Sequence, residues 1–136
     1  MLTKRFLVTV LAGAIMVGST VAAYAAIAPA ATGRGSQLVT PQQGMLNVRP
    51  IPWREVKKQG RQTVRVFFTT GVEPCYVLTD VTVDYRADKV LITLHEGSDP
   101  TAEGQACLMI TVQKAVDVTL AEPLGNRAII DGSTQG

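Results

Sequence analysis

Apolar and polar residues alternate with period two over most of the chain from Arg54 onward, and no apolar stripe of helical period runs for a useful length. Successive side chains of a strand point to opposite faces, so parity assigns the strands. Arg54 to Lys58 forms a short first strand, and Gln59-Gly60 turns it into Gln62 to Thr70, where Val64, Val66 and Phe68 share a face. Gly71 to Pro74 breaks the run. Cys75 to Tyr85 follows, apolar at Cys75, Val77, Val81, Val83 and Tyr85 and polar at Asp80, Thr82 and Asp84. After a turn over Arg86 to Lys89, Val90, Ile92 and Leu94 alternate with Leu91, Thr93 and His95, and Gly97 to Gln105 reads as a polar loop. Leu108, Ile110, Val112, Val116, Val118 and Leu120 keep one parity, interrupted at Lys114-Ala115. Pro123 to Asn126 turns the chain into a last strand, Ala128 to Ile130, before a polar tail at 133–136.

Short strands with turns at this spacing predict an all-β fold over residues 49–132: a small antiparallel β-sandwich of immunoglobulin-like architecture. Two details depart from that scheme. The single tryptophan, Trp53, precedes the first cysteine instead of lying between the two. Cys107 has the parity of Thr111 and Gln113, opposite to the apolar set beginning at Leu108, so either a bulge lies near it or it sits at the mouth of its strand.

The first 25 residues have a different pattern. Lys4 and Arg5 precede an unbroken apolar stretch from Phe6 to Val17, and Ala23-Tyr24-Ala25 supplies the small-x-small site that a signal peptidase reads, placing the cut before Ala26. No charge appears from Phe6 through Gly33, long enough for a helix to cross about 30 Å of hydrocarbon as a retained anchor. The strongly apolar part stops at Val17, however, and the residues after it suit a cleaved signal better. Processing leaves the product secreted or in the cell envelope, touching the membrane only in transit. Residues 26–48, rich in Ala, Pro, Gly, Thr, Gln and Ser, read as a flexible linker.

Cleavage changes the electrostatics. Of 13 basic residues, Lys4 and Arg5 leave with the signal, so 11 face 11 acidic ones. The charges are nonetheless segregated: Arg34, Arg49, Arg54, Lys57, Lys58, Arg61 and Arg65 are accompanied between Arg34 and Arg65 only by Glu55. Either this segment meets an anionic partner, or basic and acidic strands neutralise each other across a sheet. Overall neutrality and sparse aromatic residues give no reason to expect nucleic acid.

Export also bears on the cysteines. Cys75 and Cys107 are the only two, and in an oxidising compartment they are expected to form a structural disulfide. Their wide separation does not fit a Cys-x-x-Cys redox pair.

Gly71-Val72-Glu73-Pro74-Cys75-Tyr76-Val77-Leu78, His95-Glu96-Gly97-Ser98-Asp99-Pro100, Lys114-Ala115-Val116 and Pro123-Leu124-Gly125-Asn126-Arg127 together resemble a group of small exported actinobacterial proteins of uncharacterised function. The resemblance spans about Val48 to Gly132. It implies an exported β domain with paired cysteines and carries over no catalytic residue.

The candidate chemistry is thin. His95, beside Glu96, Ser98 and Asp99, invites a hydrolase reading, but a catalytic serine needs a base within reach and an oxyanion hole, which neighbours on one strand end seldom supply. No catalytic residue is therefore expected, nor enzymatic activity. One histidine is a poor zinc set. Asp99 and Glu103 in the 97–105 loop leave weak calcium binding as a reading, without the spacing of a calcium loop, and a solvated loop explains them equally. No metal or cofactor is expected. Glu73, before Pro74, sits in a possible recognition turn, although proline also starts strands. Trp53 serves either as a ligand anchor or as a cover for one end of the core. Trp53, Glu73, Asp99 and Glu103 are thus the candidate contacts with a ligand or partner such as another envelope or extracellular protein. The pattern points to a non-enzymatic binding or structural module, with a proteinase-inhibitor-like protein acting through loop 97–105, or a weak metal-binding protein, as the alternatives.

Processing yields a first prediction: the secreted protein starts at Ala26 or within a few residues of it. Intact mass and N-terminal sequencing check this, and a membrane-bound product still beginning at Met1 would contradict it.

Overall fold

The computed structural model describes residues 35–135; the expected signal segment 1–25 and the first part of the expected linker lie outside them. The alternating segments become β3 (Glu55–Lys58), β4 (Thr63–Thr70), β5 (Val77–Tyr85), β6 (Lys89–Ser98), β7 (Val112–Thr119) and β8 (Ala128–Asp131), preceded by β1 (Gln37–Leu38) and β2 (Leu46–Ile51). Among the described residues these strands build two four-stranded sheets. One has the order β1-β7-β4-β3; in the other, β6 pairs with β5, β2 and β8. Among the described residues no helix is long and apolar enough to cross a membrane.

Both sheets turn an apolar face inward. Val64, Val66 and Phe68 of β4 and Val116 and Val118 of β7 meet Leu78 of β5 and Val90, Ile92 and Leu94 of β6 in one core, closed by Ile51, Leu120 and Leu124. Phe68 is its largest wholly buried side chain, a burial worth about 1.5–3 kcal/mol. This core lies entirely within the described residues.

Pairing is mixed rather than uniformly antiparallel. β8 runs parallel to β6, with Lys89 opposite Ala128 and Ile92 opposite Asp131, while β2 pairs antiparallel with the other half of β6, Leu46 opposite Ser98 and Ile51 opposite Leu94. β5 flanks β6 from Val90 to Gly97, so β2 and β8 share the remaining edge. β1 runs parallel to β7. Parity from sequence cannot distinguish these directions, because a strand presents the same alternating faces either way.

The expected linker ends earlier than residue 48. β1 and β2 both begin within it, Val39 packs on the core, and the Val39 amide donates to the Ala115 carbonyl. Short polar-looking strands at a sheet edge lack the alternation that marks the others. The tail also has structure: Gly132–Thr134 is a 3₁₀ turn whose Ser133 amide donates to the Asp131 carboxylate.

In β5 the parity switches. Leu78 lies opposite Glu96 and Asp80 opposite His95, so Thr79 is an extra bulged residue, and Leu78 joins Val81, Val83 and Tyr85 on the core side. β7 departs from expectation twice. Lys114 does not interrupt it but continues the ladder opposite Phe68, whereas Leu108 and Ile110 fall outside the strand and are exposed.

Cys75 and Cys107 are bonded, with their Cα atoms 5.9 Å apart. Cys75 precedes β5 in one sheet and Cys107 precedes β7 in the other, so the bridge joins the sheets at one end instead of crossing the core. Cys107 lies ahead of the strand, which resolves its parity. The sequence separation of 32 corresponds to roughly 3–4 kcal/mol of loop-closure entropy. Replacing both cysteines by serine is expected to lower unfolding free energy by about 2–5 kcal/mol with strand order unchanged. Urea unfolding followed by Trp53 fluorescence measures it, and an unshifted midpoint would show that the bridge contributes nothing.

Candidate functional site

At the disulfide-bridged end the inward faces of the two sheets finish in charged side chains. Glu96 lies on β6 in line with Val90, Ile92 and Leu94, and Lys114 lies on β7 in line with Val116 and Val118. The side chain of Glu96 is 4% exposed and that of Lys114 2%. A charge so deeply buried needs specific partners. Glu96 accepts from the Thr70 hydroxyl of the facing sheet and, at 3.3 Å, from the Arg49 guanidinium on β2. Lys114 Nζ donates to the Tyr76 carbonyl at 3.1 Å and lies 3.7 Å from the Glu73 carboxylate.

Lys114 thereby ties the 71–76 loop to the opposite sheet. Within that loop Glu73-Pro74 is a cis peptide, and the Tyr76 ring lies against Gly71 where any Cβ would collide with it. Gly97 is similarly constrained, with the Leu46 carbonyl and the Met45 side chain pressed against the place a Cβ would occupy. Both close approaches bring loop and strand over the end of the core.

Past Thr70, among the described residues, the first sheet has no strand paired with the chain leading into β7, because β4 ends at Thr70. Leu108, Met109 and Ile110 consequently run outside the ladder, 64%, 91% and 53% exposed. Together with Ile51, Pro52 and Tyr76 they wall a cleft of about 290 Å³ whose floor includes Glu96 and whose rim includes Arg49. A neighbouring cleft of about 210 Å³ lies beside the disulfide, between Asn47, Gly97 and Ser98.

The structure collects some of the sequence candidates here. Glu73 is in the loop held by Lys114, and the Asp99 amide donates to the Pro74 carbonyl at 2.9 Å, so both border the disulfide end. Asp99 accepts from the Thr101 hydroxyl and amide, bonds that hold its carboxyl below the usual carboxylate range. Glu103 is exposed just after the Pro100–Ala102 3₁₀ turn. Trp53 lies apart from them, in the passage from β2 to β3. Its indole N–H donates to the Ile92 carbonyl at 2.8 Å and its amide to Asp131, while its ring packs on the core. His95 is half-buried between Pro50 and Asp80, and its Nδ1 has no hydrogen-bond partner among the described residues. Among the described residues, no three His, Cys, Asp or Glu side chains converge as a cation site would require.

Glu96, Lys114, Thr70 and Leu108–Ile110 were not singled out by sequence reasoning. A signal was present for the first two: each has the parity of a core face, and a charge at such a position calls for a partner.

Part of the basic segment also finds acidic partners. Arg65 meets Asp117 across the β4–β7 ladder through two hydrogen bonds of 2.7 and 2.8 Å, and that donation holds the Asp117 carboxyl below its ordinary range. Lys57 pairs with Glu55 and lies over the Phe67 ring. No family model, no curated protein and no solved structure matches the chain.

Chemically, Glu96 and Lys114 act as fasteners, and the apolar segment Leu108 to Ile110 stays exposed. Glu96→Ala and Lys114→Ala are each expected to cost about 1–3 kcal/mol, since each leaves a buried hydrogen-bonding group without its partner. Arg49→Ala, although its own side chain is 64% exposed, removes the cation paired with the buried Glu96 carboxylate and should likewise cost at least about 1 kcal/mol. Urea midpoints of the three variants check these losses, and an unshifted midpoint in any of them would contradict the fastening role.

Proposed function

We propose that the chain is an exported, non-enzymatic binding or structural module of immunoglobulin-like build, working in the cell envelope or outside the cell through its disulfide-bridged end. The observation that carries this reading is the exposure of three consecutive large apolar residues, Leu108 to Ile110. Single exposed apolar side chains are ordinary, but a contiguous patch next to a cleft marks a place where another molecule docks. The segment is anchored at Cys107 and again at Val112, so little conformational freedom remains to be lost on binding. The signal pattern at Lys4 to Ala25 and the resemblance to small exported proteins support the location.

The inhibitor reading gains no comparable support. Residues 97 and 98 belong to β6, and Pro100–Ala102 folds into a 3₁₀ turn instead of presenting an extended loop to a protease cleft.

The test uses residues 26–136, which contain the whole described core. Immobilised on resin, they are expected to retain a defined component of an envelope extract, the chain itself included. The Leu108→Ser/Ile110→Ser variant, with an unaltered melting temperature, should lose it. Retention no better than blank resin, or equal retention by the variant, would refute the reading.

A further inference from the structure

Charge is divided between the two flanks of this fold. β3 forms one edge of the first sheet, and β1, at its other edge, leads to Gln42, whose amide donates to the Leu78 carbonyl of β5. β3 and β5 therefore border opposite flanks. β5 turns Asp80 and Asp84 to solvent, whereas β3 and its flanking residues carry exposed Arg54, Lys57, Lys58 and Arg61 with one acid, Glu55. Lys57 pairs with Glu55, and Arg65 with Asp117. Arg54 donates to the Thr69 hydroxyl and, like Lys58 and Arg61, forms no ion pair among the described residues. Residues 1–34 supply no acidic side chain either, since Glu55 is the first acid in the sequence. Three exposed cations thus share one edge without a counter-charge.

We propose that this edge binds a linear polyanion, a polymer bearing phosphate or carboxylate groups along its length. The site is separate from the disulfide-bridged end and does not depend on it. Lysines also guard edge strands against pairing with another chain, but on β5 that task falls to Asp80 and Asp84. A guard accounts neither for Arg54, ahead of the strand, nor for Arg61, in the turn after it. The partner's shape follows from where the cations point. Lys57 and Lys58 take opposite faces of β3: Lys57 lies opposite Arg65 with its ammonium over the Phe67 ring, whereas Lys58 borders a cleft of about 400 Å³ that Arg127 also lines. A flat bilayer meets only one of these faces, and the turn Gln59-Gly60-Arg61-Gln62 offers no apolar residue to insert into it. A flexible polymer follows the edge and reaches both.

Residues 26–136, titrated with long-chain polyphosphate and with polyglutamate, should bind at least one of them, with an affinity that falls as salt rises. Counterion release from three contacts, at about 0.7 per contact, gives a slope of log K against log salt of about −2. Lys58→Gln/Arg61→Gln, with an unaltered melting temperature, should weaken binding about tenfold or more at low salt and cut the slope by more than half. Lys58→Arg/Arg61→Lys, which keeps both charges, should bind as the unaltered protein does. Arg86→Gln removes an exposed cation from the turn between β5 and β6 and should change the affinity less than about twofold. Binding to neither polymer, a slope near zero, a loss in Arg86→Gln as large as in Lys58→Gln/Arg61→Gln, or tighter binding to anionic phospholipid vesicles would overturn the inference.

Discussion

Every strand of the second sheet hydrogen-bonds to β6. β5 occupies one edge of it, and β2 and β8 divide the other. With both edges taken, the register of β6 dictates which residues of its neighbours face inward. Val90, Ile92 and Leu94 are fully buried on its core side. A one-residue slip would turn such a strand inside out, so neighbours whose own pattern does not match must absorb the difference locally. β5 does so with the bulge at Thr79. β2 does so between Leu46 and Arg49, where Asn47 takes a left-handed backbone with φ of 54°, a conformation asparagine tolerates. Trp53 adds a fastening from the inter-strand crossing to the Ile92 carbonyl of the same strand.

The same register carries Glu96 inward at the far end of β6, and the facing strand brings Lys114 inward on β7. Neither charge can be left in an apolar interior, and each is bound to a group outside its own sheet or strand: Thr70 and Arg49 for Glu96, Tyr76 and Glu73 for Lys114. Apolar side chains at these positions would have sealed the end of the core. Lys114 instead positions the 71–76 loop, and with it Cys75, while Glu96 ties Thr70 and Arg49 together.

That placement accounts for the exposed segment. Cys107 has to reach Cys75 on the other sheet, and β4 has already ended at Thr70, so among the described residues the segment 108–111 has no ladder neighbour. Their exposure follows from a covalent tether and an ending strand, and it leaves an apolar segment pinned at Cys107 and again at Val112.

The strand segments β3 to β8 were legible in the amino-acid pattern because alternation reports which residues share a face, and Val64, Val66 and Phe68 appear in the core as that alternation requires. The disulfide was legible too, since two cysteines in a chain with an export pattern have only each other. Strand direction, the sharing of β6 by β2 and β8, and the short strands within residues 35–48 were not, because period two is blind to direction and brief edge strands carry little pattern. For the functional end, parity placed Leu108 and Ile110 in the core and passed over Lys114 as an interruption. Burial depends on whether another element lies opposite, which no single strand's sequence encodes. The chain's own pattern determined the faces of its strands; only tertiary structure decided which faces found cover, because cover comes from residues distant in sequence.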